Sequence, residues 1–205
     1  MSVNVDEFGT LCGRVIAVGD VHGCQTMLAA LLQAMALTQD DTLIFLGDLI
    51  DRGLDSKGVI ETIWAYETKC RIVRILGNHE EMMLRSRHRA DDCQLWLQVG
   101  GAQTLASFGL PPTHHGLMSV PSHYITWLQN AKDHLETDKF IFCHATPDHD
   151  KPMSEQTAET WRWRHLQDLP HRHISGKTIV CGHTPQPDGD VYCMDGLICL
   201  DTYAF

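Results

Sequence analysis

The chain has 205 residues, of which 43% are hydrophobic, and a formal net charge of -10. This length suits one domain with a substantial core, and the ordinary apolar fraction excludes global disorder. The acidic balance excludes a protein that coats nucleic acid, because such proteins need a basic stripe and the sequence has none.

The first half of the chain alternates apolar runs of strand length with segments of helical period. Strands are predicted at 14–18, 42–46 and 71–76, and helices at 25–36 and 55–66. This βαβαβ series predicts parallel strands that are buried on both faces and joined by right-handed crossovers. The loops that follow the strands are then expected to meet at one edge of the sheet.

The middle region, 90–131, is predicted to be a mainly helical insertion that caps the site within a single domain spanning 1–205. Helices are expected at 80–89, 93–108 and 121–131, with a break near Gly100 and Gly101 and a loop at 111–116. Later strands are predicted at 139–143, 178–181, 191–193 and 197–200. The last two indicate a hairpin in a second sheet.

The N-terminal segment has no basic stretch followed by an apolar run, and no segment approaches the roughly 20 apolar residues of a membrane span. We therefore expect a soluble, unprocessed cytoplasmic protein with no membrane partner. The eight cysteines form no Cys-x-x-Cys pair, so reduced thiols that pack as small core residues are expected, with a disulfide framework as the alternative. They are Cys12, Cys24, Cys70, Cys93, Cys143, Cys181, Cys193 and Cys199.

Three polar motifs each begin where a predicted strand ends. They are Gly19-Asp20-Val21-His22-Gly23, Gly47-Asp48-Leu49-Ile50-Asp51-Arg52-Gly53 and Gly77-Asn78-His79-Glu80. Taken singly, they are also typical of a solvated turn, a surface Asp–Arg pair and a helix cap. Those alternatives do not explain why Gly-Asp, Gly-Asp and Gly-Asn recur after successive strands.

The residue types in these loops suit metal and phosphate chemistry. Asp20 and His22, with one residue between them in a loop, can turn to a single point. The two oxygens of Asp48 can bridge two metals, and the planar donors of Arg52 suit phosphate oxygens. Asn78 can offer its amide oxygen to a metal, which leaves the imidazole of its neighbour free.

Two histidines, His144 and His183, each follow an apolar strand that ends in Cys. Either alone is typical of a structural histidine, but after the three earlier loops both are predicted metal ligands. Mixed oxygen and nitrogen ligands suit Mn, Fe, Co, Ni or Zn better than Ca. The other histidines are expected at the surface or in hydrogen bonds, with His171 and His173 as alternatives that line the cleft.

The ordered motifs resemble those of the phosphoprotein phosphatase family of calcineurin-like metallophosphoesterases, particularly the small bacterial enzymes, bacteriophage lambda phosphatase and the symmetrical diadenosine tetraphosphatase. The resemblance extends from Arg14 to Asp201. It implies an α/β fold of the calcineurin-like metallophosphoesterase type. In that fold a βαβαβ core and a second sheet form a four-layer α/β/β/α sandwich with a helical cap. It also implies two divalent metal ions, with Mn first and Fe, Zn, Co or Ni as alternatives.

The resemblance assigns roles residue by residue. The implied metal ligands are Asp20 and His22 at one metal, Asp48 as the bridge, and Asn78, His144 and His183 at the second metal. His79 would be the general acid, held by Asp51. The substrate phosphate would be held by Arg52, by Asn78 and by an arginine of Trp161-Arg162-Trp163-Arg164, where the chain departs from the family spacing. Arg162 and Arg164 therefore both stay candidates, with Arg164 favoured.

The implied activity is metal-dependent phosphomonoester hydrolysis, most specifically by a serine/threonine protein phosphatase. A hydroxide that bridges the metals would attack phosphorus directly, without a covalent phosphoenzyme. The substrate would be a phosphorylated protein or a small phosphoester, and not nucleic acid.

Two alternatives stay open. One is a nucleotide hydrolase of the symmetrical diadenosine tetraphosphatase type, in which a tryptophan could stack on a base; the candidates are Trp96, Trp127, Trp161 and Trp163. The other is a catalytically silent, metal-bound interaction module. The chain also stops at Asp201-Thr202-Tyr203-Ala204-Phe205, where relatives usually add a glycine-rich turn and a further strand, so we expect a second sheet that is one strand shorter.

Overall fold

The computed structural model describes residues 13–166 and 172–205. The predicted core thiol Cys12, the alternative cleft residue His171 and the N-terminal segment considered for a signal lie outside the described residues. All seven cysteines within the described part are free. In that same part, no helix is both long enough and apolar enough to cross a membrane.

The first sheet is the predicted βαβαβ unit. Its elements are β1 (Val15–Val18), α1 (Gln25–Ala34), β2 (Thr42–Phe45), α2 (Ser56–Tyr66) and β3 (Arg71–Arg74). The strands are parallel in the order β1-β2-β3. Every residue of β2 is buried, as expected for a central strand covered on both faces.

Alternate residues of β2 face different layers of the molecule. Leu43 and Phe45 belong to the core that includes the buried faces of α1 and α2. Ile44 packs instead in a core with Phe142 and Val180 of the second sheet. The twofold alternation of a strand therefore places helices on one face of the first sheet and the second sheet on the other.

A run of helices follows the first sheet. They are α3 (Asn78–Ser86), α4 (Ala90–Trp96), a π-helical turn (Leu97–Gly101), α5 (Ala102–Ser107), α6 (His114–Met118) and α7 (Ser122–Gln129). The predicted break is the π-helical turn, where Gly100 has φ 129°. The predicted loop at 111–116 is wrong in its second half. Helix α6 begins at His114 because the Thr113 hydroxyl accepts the N–H of Gly116 at 3.1 Å.

The second sheet contains β4 (His134–Glu136), β5 (Phe140–Cys143), β6 (Thr178–Cys181), β7 (Tyr192–Met194) and β8 (Leu197–Cys199), in the order β4-β5-β6-β8-β7. Strands β5, β6 and β8 are parallel, and β7 pairs with β8 as the predicted antiparallel hairpin. The sequence did not predict β4, which has three residues and gains its structure by antiparallel pairing with β5.

A last helical layer covers the outer face of the second sheet. It comprises a 3-10 turn (Met153–Glu155) and α8 (Ala158–Arg162), neither of which was predicted. Trp161 packs there in a core with Ile141 and Ile179. Helices, two sheets and this final layer make the four-layer α/β/β/α order, which confirms the predicted fold class.

Candidate active site

The loops after β1, β2, β3, β5 and β6 meet at one edge of the two sheets. Three of the predicted ligands there adopt the left-handed backbone region that side chains rarely occupy: His22 with φ 43°, Asp48 with φ 50° and His183 with φ 66°. Strain of this kind persists where the surrounding structure enforces it, and it is common at functional sites.

Asp48 lies at the centre of the site. One of its oxygens is 3.6 Å from Nε2 of His22, and the other is 3.3 Å from Nε2 of His144. Two groups of side chains have ligand atoms within 4.8 Å of one another, and Asp48 belongs to both. The first group is His22, Asp48 and His79, and the second is Asp48, His144 and His183.

Asn78 and Asp20 complete this cluster. The Asn78 amide oxygen is 2.9 Å from Nε2 of His144 and 3.1 Å from Nδ1 of His183. The Asp20 carboxylate accepts the backbone N–H of His183 at 3.1 Å. The structure thus brings all six predicted metal ligands together from five loops.

Two of the imidazoles are oriented by backbone carbonyls. Nδ1 of His22 is 2.9 Å from the carbonyl oxygen of Ile50, and Nδ1 of His144 is 2.9 Å from that of Leu46. A carbonyl can only accept, so each Nδ1 carries the proton and each Nε2 keeps a lone pair for a metal.

The electrostatics of the cluster fit divalent cations. Burial lowers the pKa of His22 to about 3 and that of His183 to about 4, and it lowers the pKa of His144 well below its ordinary value, so the imidazoles are neutral. Burial raises the pKa of Asp20 and of Asp48, and the negative charges of neighbouring carboxylates raise both pKa values further. Two buried carboxylates beside neutral imidazoles form a donor set that a dication stabilises.

His79 lies between a carboxylate and a guanidinium. Its Nδ1 is 2.8 Å from the Asp51 carboxylate, while its Nε2 is 3.1 Å from the guanidinium of Arg52 and 3.9 Å from the Asp48 carboxylate. The ring is 2% exposed and Asp51 is fully buried. The predicted His79–Asp51 pair is therefore formed, and Nε2 faces the centre of the site.

Arg52 also contacts an aromatic ring that sequence reasoning did not include in the site. Its guanidinium lies 4.5 Å from the ring centroid of Phe205, which meets the His22 ring edge-on at 5.0 Å. Phe205 is 42% exposed. No local pattern marks this residue, because it reaches the site from the far end of the chain.

The two arginine candidates of the later segment are paired elsewhere. Arg162 lies 3.2 Å from Glu81 and also pairs with Asp133, and Arg164 pairs with Asp148. The backbone between them does reach the site, since the carbonyl of Trp163 is 3.1 Å from Nε2 of His183. Phosphate binding by Arg162 or Arg164 stays a prediction.

Glu80 is a second residue whose role sequence reasoning missed. Its carboxylate accepts four backbone N–H groups, at distances between 2.8 and 3.2 Å; the donors are Gly77, Asp48, Leu49 and Ile50. It thereby ties the loop after β3 to the loop that carries Asp48. Its place as the fourth residue of Gly-Asn-His-Glu is the signal in the sequence, but from that pattern we predict only the start of a helix at Glu80.

The structure also places two of the remaining histidines and the tryptophans considered for base stacking. His165 is exposed, as predicted, but stacks on His183 at 4.5 Å. His173 is buried and bonds to Ser175 and to the carbonyl of Lys151. Among the four tryptophans considered for base stacking, only Trp163 has substantial exposure, at 36%.

The family assignment rests on comparison with known proteins. Residues 13–187 match the family model of the calcineurin-like phosphoesterases. The chain therefore belongs to the family of calcineurin-like phosphoesterases.

Individual relatives carry two different names. The chain is 40% identical over 89 residues to serine/threonine-protein phosphatase 1 of Salmonella typhimurium, covering 43% of this chain and 39% of that protein. It is 41% identical over 136 residues to the symmetrical bis(5'-nucleosyl)-tetraphosphatase of a Janthinobacterium species, covering 63% of this chain and 42% of that protein. The matched parts thus span well under half the length of these relatives.

A solved structure shows the same fold. The chain superimposes on a cold-active protein tyrosine phosphatase with a TM-score of 0.66 at 14% identity, covering 100% of this chain and 75% of the other. Similarity at that level of identity shows the fold alone.

Proposed function

We propose that the protein is a metal-dependent phosphomonoesterase that acts on phosphoserine or phosphothreonine in proteins. The observation that carries this proposal is the position of His79, whose Nδ1 is 2.8 Å from Asp51 and whose Nε2 is 3.1 Å from Arg52, beside the buried Asp48. A proton donor, a phosphate-binding cation and a metal ligand then surround one point.

The proposed metal ligands are Asp20 and His22 at one ion, Asp48 at both, and Asn78, His144 and His183 at the second. Two divalent cations held in this way supply positive charge to phosphate oxygens and lower the pKa of water. Mn is the proposed metal, because the ligands mix carboxylate and amide oxygens with imidazoles; Fe, Zn, Co and Ni suit such a set as well.

We assign His79 to proton transfer rather than to metal binding. Its Nε2 lies 3.1 Å from the guanidinium of Arg52, the group proposed to bind the phosphate, so the leaving oxygen of a phosphate bound by Arg52 would lie close to Nε2. Asp51 would fix the orientation of the ring through Nδ1, and Nε2 would donate a proton to the leaving oxygen. Arg52 would bind the phosphate oxygens next to that proton.

The charges around the site favour a single phosphoryl group as substrate. Arg52 is directed at His79 and Phe205, whereas Arg162 and Arg164 both lie against carboxylates. A tetraphosphate has further negative charges beyond the phosphoryl group that the two metal ions would bind, and of these three arginines only Arg52 is not paired with a carboxylate in the contacts above. The name of the Salmonella relative supports the same substrate class.

The alternative is hydrolysis of diadenosine tetraphosphate. One support for it is the longer match to the Janthinobacterium relative. Another is Trp163, which has an exposed indole and a backbone carbonyl that contacts His183. A catalytically silent metal-binding module is the third possibility and would leave the His79–Asp51 pair unused.

The test is a comparison of substrates with defined metal content. The protein would be stripped with a chelator, reloaded with Mn²⁺, and assayed with p-nitrophenyl phosphate, a phosphothreonine peptide, a phosphotyrosine peptide and diadenosine tetraphosphate. We expect activity to vanish on chelation and to return with Mn²⁺, with the highest kcat/KM on the phosphothreonine peptide.

Other outcomes would reject parts of the proposal, and a higher kcat/KM on the phosphotyrosine peptide than on the phosphothreonine peptide would overturn the serine/threonine assignment. Higher kcat/KM on the dinucleotide would establish the alternative, and undiminished turnover after exhaustive metal removal would refute the metal mechanism. Stoichiometric metal binding with no hydrolysis of any substrate would establish the silent module.

His79→Asn tests the proton donor. We expect metal content to be nearly unchanged and turnover of an alkyl phosphate to fall about 10²- to 10⁴-fold, because an alkoxide leaves poorly without a proton. Full activity of this variant, with metal content measured in parallel, would remove His79 from the mechanism.

A further inference from the structure

The helices on either side of the π-helical turn contact Asp51, the carboxylate that holds His79. The indole N–H of Trp96 donates to one oxygen of Asp51 at 2.8 Å, and the hydroxyl of Thr104 donates to the other at 2.6 Å. All three side chains have no solvent exposure. The oxygen that accepts from Trp96 also faces Nδ1 of His79 at 2.8 Å.

The backbone of Asp51 is fixed by the same surroundings. Its N–H lies 2.9 Å from the Thr104 hydroxyl oxygen and 3.0 Å from that of Ser56, and these two hydroxyls are 2.9 Å apart. Asp51 itself has φ 71°. A carboxylate in a strained loop is thus held at both oxygens and at its own backbone.

The two glycines of the turn allow this close approach. The carbonyl of Gly100 accepts the N–H of Arg52 at 3.3 Å, and a Cβ on Gly100 would lie 2.4 Å from that nitrogen. A Cβ on Gly101 would lie 2.4 Å from the ring of Trp96. π-Helical turns are uncommon and frequently occur at functional sites.

We propose that Trp96 and Thr104 are positioning residues for the proton donor. They fix the rotamer of Asp51, and Asp51 in turn fixes the direction of Nε2 of His79. This proposal rests on the proposed function, because it presumes that His79 donates a proton to the leaving group. The break noted in the sequence near Gly100 is then the feature that lets residues 96–104 reach Asp51 and Arg52.

These contacts predict how kcat and KM change when the Trp96 or Thr104 donor is removed. Loss of either donor frees one side of the Asp51 carboxylate, so the imidazole of His79 no longer points steadily at the leaving oxygen. A poor leaving group requires that proton, whereas a good one departs without it. Phosphate binding by Arg52 depends on its backbone bond to Gly100, which neither substitution removes, so kcat should fall while KM changes little.

The experiment uses the Mn²⁺-loaded protein and two substrates with different leaving groups, phenyl phosphate and 2,4-dinitrophenyl phosphate. The variants are Trp96→Phe and Thr104→Val, which remove one donor each and keep most of the volume. Thr104→Ser restores the hydroxyl and serves as the rescue. Trp127→Phe is the matched control, because it removes a buried indole N–H that bonds to Glu67 at 3.1 Å, away from His79.

We expect each of the two variants to lose at least about tenfold in kcat on phenyl phosphate and under about threefold on the dinitrophenyl ester. Thr104→Ser and Trp127→Phe should behave as wild type on both. Thermal unfolding is measured for every protein, and the Thr104 pair decides the question if Trp96→Phe does not fold.

Equal losses on both esters, no loss on either, or failure of Thr104→Ser to restore the ratio would overturn the positioning role. His79→Asn separates this failure from that of the proposed function. If His79→Asn loses phenyl phosphate selectively but Thr104→Val does not, only the positioning role is wrong. If His79→Asn shows no such selectivity, the proton-donor assignment fails and the positioning role fails with it.

Discussion

Glu80 shows how one side chain organises the site without touching substrate. A buried carboxylate is costly unless hydrogen bonds satisfy it, and here four backbone N–H groups do so. Burial still raises the pKa of Glu80 above its ordinary value. The function of this buried carboxylate is therefore structural, because its hydrogen bonds hold the left-handed backbone at Asp48.

Glu80→Gln should destabilise the protein by roughly 2 kcal/mol and lower its affinity for Mn²⁺. The amide offers one acceptor oxygen instead of two, so two of the four N–H groups lose their partner, and release of the buried charge offsets part of that loss. Urea unfolding and metal titration measure the two effects. The exposed Glu155→Gln is the control, and a Glu80→Gln protein with unchanged stability would contradict the role assigned to the carboxylate.

At the scale of elements, helix α2 links the loop that carries Arg52 to the core. Its N-cap is Asp55, three residues after Arg52, and the Asp55 carboxylate accepts the N–H of Gly58 at 2.7 Å. Its first residue, Ser56, bonds to the backbone of Asp51. The start of this helix therefore bears on the geometry of the site as well as on stability.

Asp55→Ala should lower the free energy of unfolding by about 1 kcal/mol, because loss of the capping carboxylate leaves an N–H of the first turn without its acceptor. Asp55→Asn keeps an acceptor oxygen and should lie within a few tenths of a kcal/mol of wild type. Urea unfolding of the three proteins measures this. Equal losses in both variants would show that the charge of Asp55, and not its capping bond, is what matters.

For the molecule as a whole, the packing of the outer layer makes stability depend on pH. His134 is 6% exposed and stacks on Trp161 at 4.4 Å, where α8 covers the second sheet. Burial lowers the pKa of His134 below its ordinary value. In the unfolded chain, His134 has the ordinary histidine pKa of about 6.5. At pH values just below this, the unfolded chain binds a proton at His134 that the folded chain does not bind, so stability falls as pH falls.

His134→Phe keeps an aromatic ring over Trp161 and removes the titrating group. We expect wild type to lose more stability than the variant between pH 7.5 and 5.5, with a difference in slope of at most about 1.4 kcal/mol per pH unit. Urea unfolding at both pH values, with chelator present so that metal loss does not contribute, provides the comparison. Parallel pH dependence in the two proteins would show that His134 contributes nothing to it.

The sequence by itself determined the features that local pattern encodes. The apolar run Leu43-Ile44-Phe45-Leu46 and its two neighbours predicted the parallel sheet, because strands buried on both faces must be apolar throughout. Gly-Asp, Gly-Asp and Gly-Asn at successive strand ends predicted which side chains meet, because parallel strands share one carboxyl edge. The parallel first sheet and the meeting of its loops follow from these two facts, whereas the four-layer fold was implied by the resemblance to the metallophosphoesterase family.

Only the tertiary structure decided which side chains hold that cluster in place. Strand β4 and helix α8 are too short to carry a periodic pattern, and they form because the second sheet offers them a partner and an apolar face. The contacts of Trp96 and Thr104 with Asp51 span 45 and 53 residues of sequence. Such bonds depend on how packed layers approach one another in three dimensions, and no spacing along the chain encodes that distance.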